Sequence, residues 1–371
     1  MPELKELYRT PVAEAHPAEI TVTVGDRPIV YRKATWSYDG QDVALRYGEN
    51  PHQPAAFYAP AEGVGAMSRL TWVKLGKGGP SWINLADMDH ALRILKYLNR
   101  PAVAVMKHLN PAGVAEQHTT EALAEIYAAA RACDERASFG GVVAFNRVVD
   151  GQTARELTGT FIEAVVAPDY TEEAIALLSE KRDLRVARVD GIDELPRFEG
   201  DAAGFDLKVL NDGSILLQRP YLTRIRSVAD LVQQPVVGQG HDAVRVEHKP
   251  TPSELADLLF AWYVNTGVRS NGIVIAKHGR TLAVGTGEQE RVGAVEQAIH
   301  KARSKGHDLR DSVVSSDAFF PFRDSVDALA AAGVRAIVQP GGSLRDAEVA
   351  RACNEQNIAM VFTHERCFAH F

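Results

Sequence analysis

Lys107-His108-Leu109-Asn110-Pro111-Ala112-Gly113 places an ammonium and an imidazole on consecutive residues. A neutral imidazole can take up a proton. The ammonium beside it can stabilise developing negative charge or donate a proton, so the pair is equipped for general acid–base chemistry. The same residues also make an ordinary solvated turn. Arg46-Tyr47-Gly48-Glu49-Asn50-Pro51-His52-Gln53 offers a planar guanidinium fork and a phenol to a phosphate or carboxylate. Taken alone, it is an Asn-Pro turn. Pro340-Gly341-Gly342-Ser343 precedes a predicted helix, where backbone N–H groups can hold an anion, although a short Gly-rich turn is equally plain loop geometry. Ser315 to Asp324 carries Phe319, Phe320 and Phe322 around Pro321 in neither the helix nor the strand period. Such rings stack on a flat ligand or plug a core. His364, Arg366 and His370 close the chain and, on position alone, read as a solvated tail.

A strand over 101–106 carries the Lys-His pair to its carboxyl end, where open parallel sheets bind ligands. Leu85, Met88, Leu92, Leu95 and Leu98 recur at helical spacing and predict a helix that starts within Asn84–Asp87. Helices over 120–132, 153–161 and 172–181 then alternate with strands over 141–145, 164–167 and 184–189. A second block begins with a helix over 253–264. Strands over 272–276 and 281–284 follow, flanking His278-Gly279, a hairpin signal. Helices over 292–302, 325–332 and 344–354 alternate with strands over 334–339 and 358–363. Between the blocks the chain is polar and rich in Gly and Asp, with one strand over 214–218. This alternation predicts an α/β fold with largely parallel sheets and helices on both faces. The expected organisation is an N-terminal extension over 1–40, a first lobe over 41–215 and a second over 216–371. The two halves resemble each other in plan, without a strong residue-level repeat.

The length of 371 residues suits two lobes, and a hydrophobic fraction of 46% is that of a globular chain. With 41 Lys and Arg against 48 Asp and Glu, the net charge of -7 argues against a protein that binds a nucleic-acid backbone. Cys133, Cys353 and Cys367 form no C-x-x-C pair, which excludes a disulfide framework or a Cys zinc cage and fits a reducing cytoplasm. The opening residues lack the apolar stretch of a secretory signal, and no run approaches membrane-spanning length. Dinucleotide, P-loop, zinc-deaminase and serine-hydrolase signatures are all missing from the sequence. The expectation is a soluble enzyme performing metal-free acid–base chemistry on a bound anion.

Six segments occur in order: Arg46–Gln53, Lys107–Gly113, Ser138–Asn146, Arg269–Asn271, Ser316–Asp324 and Gln339–Ser343. Together they resemble the AICAR transformylase domain of the bifunctional AICAR transformylase/IMP cyclohydrolase family, over residues 40–371. The resemblance implies two cytidine-deaminase-like α/β/α lobes and a homodimer with active sites at its interface. It also implies formyl transfer from 10-formyltetrahydrofolate to the 5-amino group of AICAR, giving FAICAR, without a catalytic metal; a structural potassium ion is known in the family. On that resemblance Lys107 and His108 are the catalytic pair. Arg46, Tyr47, Gly140, Glu163, Asn271, Arg291, Phe319, Arg366 and His370 fall at nucleotide-binding positions. Phe139, Val292, Phe319, Pro321, Ser343 and Leu344 fall on the folate side, with Phe319 and Phe320 supplying flat rings for the pterin and benzoyl groups. Leu109 and Ala112 replace a Thr and a Cys common in the family, and Trp82-Ile83 stands in a stretch that is more polar there. The residues ahead of Arg46 are too few for a cyclohydrolase domain, so the resemblance implies a stand-alone transformylase with no ring-closing activity. A different formyl donor, or a catalytically silent nucleotide-binding homologue, are the competing readings.

Overall fold

Runs such as Ala102-Val-Ala-Val-Met106 and Ala164-Val-Val-Ala167 are buried along their whole length. Strands covered by helices on both faces require such runs. A computed structural model describes residues 12–63, 65–76 and 78–370, so the first eleven residues of the expected N-terminal extension lie outside the described residues. The chain divides into two units: Met1–Glu194 with Gly279–Thr281, and Leu195–His278 with Leu282–Phe371.

The first unit contains, in order, β1 (Thr71–Lys74), α1 (Trp82–Leu95), β2 (Ala102–Lys107), β3 (Asn110–Glu116), α2 (Leu123–Cys133), β4 (Val142–Phe145), α3 (Gly151–Thr158), β5 (Ala164–Ala167), α4 (Glu172–Ser179) and β6 (Arg185–Arg188). Its sheet has the order β3-β2-β4-β5-β6-β1. Strands β4, β5 and β6 are parallel, β2 is antiparallel to both β3 and β4, and β1 is antiparallel to β6. Val103, Val105, Tyr127, Phe145, Leu157 and Leu178 pack into one core. Helix starts are set by side chains: Ser81 and Asn84 form a capping box on α1, Asp150 caps α3 and Thr171 caps α4. Ahead of this sheet, Glu19–Val24, Arg27–Lys33 and Tyr58–Pro60 form a three-stranded antiparallel sheet, a region where the sequence pattern indicates no elements.

The second unit contains β7 (Val232–Gln233), α5 (Pro252–Asn265), β8 (Ile273–Lys277), β9 (Arg280–Gly285, from Leu282 onward), α6 (Arg291–Ser304), β10 (Val313–Ser316), α7 (Asp324–Ala332), β11 (Ala336–Gln339), α8 (Asp346–Glu355) and β12 (Ala359–Phe362). Strands β10, β11 and β12 are parallel, β8 is antiparallel to β10, and β7 is antiparallel to β12. With β9 beside β8, this is the plan of the first unit element for element. Its core gathers Ile273, Ile275, Phe320, Val326, Ile337 and Val349. A separate two-stranded hairpin, Asp206–Val209 with Ile215–Gln218, is exposed along both strands, including Leu207, Val209, Ile215 and Leu217.

One expectation changes at the Lys-His motif. The sequence places it as a loop after a parallel strand, but β2 turns straight back into β3 through His108 and Leu109, at φ +54° and +63°. Positive φ at both central residues is the geometry of a two-residue hairpin turn. Neither residue is the glycine or asparagine that advertises one, so the turn is hidden in the sequence. Further along β3, Gly113 allows α2 to close on the strand. A Cβ there would lie 2.0 Å from the Ala130 carbonyl oxygen and 2.7 Å from Cys133 Cβ. Gly113→Ala is expected to destabilise the first unit by about 2–3 kcal/mol, because backbone must move to admit the methyl. Chemical denaturation of the variant against the parent chain measures it.

Candidate active site

Lys107 ends β2, half-buried, and His108 stands exposed at the hairpin tip. The Lys107 ammonium donates to the Gly140 carbonyl at 2.7 Å. Gly140 has φ +68°, and a Cβ on it would come within 3.3 Å of both Lys107 Nζ and the Phe161 ring, so the glycine keeps that approach open. Gly140 N–H donates to Phe161 O, and Glu163 N–H to Gly141 O. These bonds bring the segments before β4 and β5 to the same place. The Glu163 carboxylate accepts from Asn84 Nδ2 at 3.1 Å, and Asn84 is also the capping residue of α1. Phe139 and Phe161 are both exposed, with ring centroids 4.9 Å apart.

Underneath the turn, Asp87 of α1 accepts the Leu109 N–H at 2.7 Å. Burial pushes the Asp87 carboxyl up to about 6, against the opposing pull of the Leu109 N–H and the Lys107 charge. Arg46 and Tyr47 are both buried. The Arg46 guanidinium donates to the Tyr47 hydroxyl at 2.9 Å, and its Cζ lies 4.5 Å from that ring's centroid. Trp82 N–H donates to Tyr47 O, which ties this strap to the start of α1. Arg185 of β6 is buried as well and donates from Nε to Gly79 O. Burial first, then the neighbouring Arg46 charge, lowers it to about 10. Two guanidinium groups forced into proximity, with Tyr47 and Glu163 in the same field, make a place where an anion is favoured.

The second unit assembles a different cluster. Arg291, the first residue of α6, is buried, and its guanidinium contacts the fully buried Asp317 carboxylate just past β10. It also donates to Ser316 Oγ at 3.2 Å and to Asn271 Oδ1 at 2.7 Å. Asn271 in turn donates from Nδ2 to the Glu288 and Gln289 carbonyls. Ser270 Oγ donates to Asp317 Oδ2. The chain end is fastened to the same group: Cys367 N–H donates to Asp317 O, and Ser270 and Ala369 exchange hydrogen bonds. Glu365, whose side chain is nearly buried, accepts from the Tyr221 and Thr223 hydroxyls and from Arg224. The tail reading is therefore corrected: Arg366 and His370 are exposed but sit on anchored backbone, each beside the Phe368 ring.

The aromatic motif divides between its two readings. Phe320 is fully buried in the core and cannot face a ligand, whereas Phe319 and Phe322 are exposed. At Pro340-Gly-Gly-Ser343, the Gly342 N–H is taken by the Asp346 carboxylate at 2.6 Å, so the chain's own anion occupies that donor. Ser343 is half-buried, Leu344 is fully exposed on this loop, and Val292 and Pro321 are half-buried. Among the described residues no group of three or more His, Cys, Asp or Glu could hold a metal ion, and no helix is long and apolar enough to cross a membrane.

Residues 20–301 match the model of the AICARFT/IMPCHase bienzyme family. The bifunctional purine biosynthesis protein PurH of Aquifex aeolicus (strain VF5) is 43% identical over 329 residues, covering 88% of this chain and 59% of that protein. PurH of Magnetococcus marinus is 43% identical over 333 residues with the same coverage. The chain belongs to the AICARFT/IMPCHase bienzyme family. It spans 59% of the length of these relatives.

Several residues that shape the clusters described above escape the sequence reading. Asp87, Arg185 and Asp317 are buried charges inside apolar elements or motifs, and Asn84 looks like a helix cap alone. A signal did exist for Asp87: Leu85-Ala86-Asp87 and Leu255-Ala256-Asp257 stand at the same distance ahead of Lys107-His108 and Lys277-His278.

Two outcomes are expected. Asp317→Ala leaves the buried Arg291 charge without its counter-ion and should cost about 3–5 kcal/mol in a denaturant melt. Asp87 has a folded pKa above its unfolded value. Its neutral form is favoured in the fold, and that contribution is lost as pH rises from about 4 through 6. The stability of the parent chain relative to Asp87→Asn should therefore fall by about 3 kcal/mol between pH 4 and pH 8. Paired melts across that range check the sign.

Proposed function

We propose that this chain transfers the formyl group of 10-formyltetrahydrofolate to the 5-amino group of AICAR, giving FAICAR, a step of purine synthesis. The observation that carries the reading is the hairpin tip of the first unit, where Lys107 is held on Gly140 and His108 is open to a ligand. The AICAR amine is conjugated with its ring and is a poor nucleophile. In this reading His108 removes its proton as nitrogen attacks the formyl carbon. Lys107 stabilises the oxyanion and protonates the folate nitrogen as the old C–N bond breaks. In the first unit Arg46 and Tyr47 are assigned to the nucleotide's phosphate and Gly140 and Glu163 to the rest of it; in the second unit Asn271, Arg291, Phe319, Arg366 and His370 are assigned nucleotide contacts. The exposed Phe139 and Phe319, with Val292, Pro321, Ser343 and Leu344, serve the folate.

Three further assignments belong to this proposal. The working form is a homodimer with its active sites at the interface, supported by the exposed apolar hairpin 206–218, since a lone two-stranded hairpin is marginal in water. Its place is the cytoplasm, consistent with three buried free cysteines. For the potassium ion of the family the reading takes the oxygens around Gly272, because Asn265 Oδ1 is buried without a hydrogen-bond partner and Asp317 Oδ2 lies 3.3 Å from where a Cβ on Gly272 would stand. An ion held there would be structural. Ring closure to IMP is not assigned to these residues.

The purified chain given AICAR and 10-formyltetrahydrofolate should release tetrahydrofolate and accumulate FAICAR. His108→Ala should lower kcat by about 10²- to 10⁴-fold with little change in the KM for AICAR. Turnover with formate and none with the folate would favour a different donor. Calorimetric binding of AICAR without turnover would favour a silent homologue.

A further inference from the structure

We propose that Asp87 and His90 are positioning residues for formyl transfer, gripping the backbone of Leu109 from both sides so that the turn presents His108 in one orientation. The inference rests on the function proposed above. Its basis is a comparison the fold itself supplies. The turn His108-Leu109 has φ +54° and +63°, and the corresponding turn between β8 and β9, His278-Gly279, has φ +54° and +66°. Each turn follows a lysine whose ammonium donates to a carbonyl ahead of the next strand: Lys107 to Gly140 O, and Lys277 to Arg310 O at 2.8 Å. Each is also capped by an aspartate from the preceding helix. Asp87 accepts from Leu109 N–H, and Asp257 accepts from His278 N–H at 2.8 Å.

The two turns differ where it matters. Gly279 adopts a left-handed backbone without penalty, but Leu109 carries a Cβ that disfavours it. The helices differ to match. Three residues past Asp257 stands Phe260, buried, and three residues past Asp87 stands His90, whose Nδ1 lies 3.1 Å from the Leu109 carbonyl oxygen. Burial lowers the His90 pKa to about 4, so the ring is neutral and its Nδ1–H can donate to that carbonyl. In the glycine turn the Gly279 carbonyl is taken by the backbone N–H of Glu116 at 2.8 Å. In the leucine turn, which carries the exposed histidine of the proposed chemistry, side chains of α1 meet both the N–H and the C=O of Leu109.

Steady-state kinetics of the full chain test this with Asp87→Ala, Asp87→Asn and His90→Phe, each alone and with Leu109→Gly, and with Asp257→Ala as a comparison. Melting curves ensure that folded protein is assayed. The histidine ring NMR signals of each variant are recorded without substrate. Asp87→Ala and His90→Phe should lower kcat at least about tenfold while the KM for AICAR stays within about twofold. Asp87→Asn, which keeps an acceptor oxygen, should recover most of the rate, and Asp257→Ala should leave it unchanged. Leu109→Gly should shrink the His90→Phe loss, as expected for residues acting through one backbone. Equal losses in Asp87→Asn and Asp87→Ala, a change confined to KM, or a loss from His90→Phe that Leu109→Gly leaves intact would overturn the proposal. If Asp87→Ala does not fold, His90→Phe decides. If the parent chain forms no FAICAR, the functional reading fails. The His108 signals then decide the positioning claim alone: a shift in His90→Phe supports it and an unchanged spectrum refutes it.

Discussion

The bond between the Lys107 ammonium and the Gly140 carbonyl connects the tip of the β2–β3 hairpin to the segment that feeds β4. Much of the first unit is arranged so that this bond can form. The hairpin must reverse within two residues, which forces positive φ on His108 and Leu109, and α1 must present a carboxylate to the reversed backbone. The segment before β4 must approach closely, which requires a glycine at 140 because a Cβ would meet both the ammonium and the Phe161 ring. Sheet strands buried on both faces leave only their ends for chemistry. Here the Lys107 and Glu163 side chains at one such end are each held by another segment.

The second unit solves a related problem with a buried charge. Arg291 and Asp317 are both withdrawn from water, and a pair of that kind repays its desolvation only when the remaining donors and acceptors are also satisfied. They are satisfied by Ser316, Asn271 and Ser270, and the loop carrying Ser270 also holds Ala369 of the chain end. The result is specificity of position. The guanidinium fork fixes the Asn271 amide, and Glu365 fixes the tail through a tyrosine, a threonine and an arginine. Loops and a terminus that would ordinarily fray become rigid in this way.

The alternation of strands and helices was legible because each element has a one-dimensional signature. The expected strand over 272–276 and helix over 253–264 match β8 and α5 to within a residue, and β2 runs one residue past the expected strand over 101–106, ending on Lys107. What stayed hidden depends on three-dimensional neighbours. His108-Leu109 carries no turn signal, because a leucine is left-handed only where a helix beneath compels it. Phe320 and Phe319 are adjacent and identical in type, yet one fills the core and the other faces out, which no period decides. Arg185 shares its short strand with Arg188, and only the structure shows that Arg185 is the buried one and that its charge sits in the same field as Arg46. The resemblance in plan between the two halves was visible, whereas the repeated Leu-Ala-Asp and Lys-His pairs are too short to stand out before the topology aligns them.

That repetition separates scaffold from chemistry. Both units build the same hairpin, the same aspartate cap and the same lysine bond to a carbonyl, so none of these features by itself distinguishes a reactive site. The first unit adds a side chain at the left-handed position, a histidine beneath it, a glutamate oriented by Asn84, and a buried pair of guanidinium groups. The arrangement carries a cost, since the shared aspartate cap, Asp87, ionises against its burial and the added Leu109 side chain bears a Cβ in a region that disfavours it. Costs of this kind persist where function needs geometry more than stability. The net charge of -7 belongs to the surface and to solubility. In the proposed reading the preference for an anion comes from guanidinium groups placed where water is scarce, so the sign of the ligand follows from burial and arrangement rather than from composition.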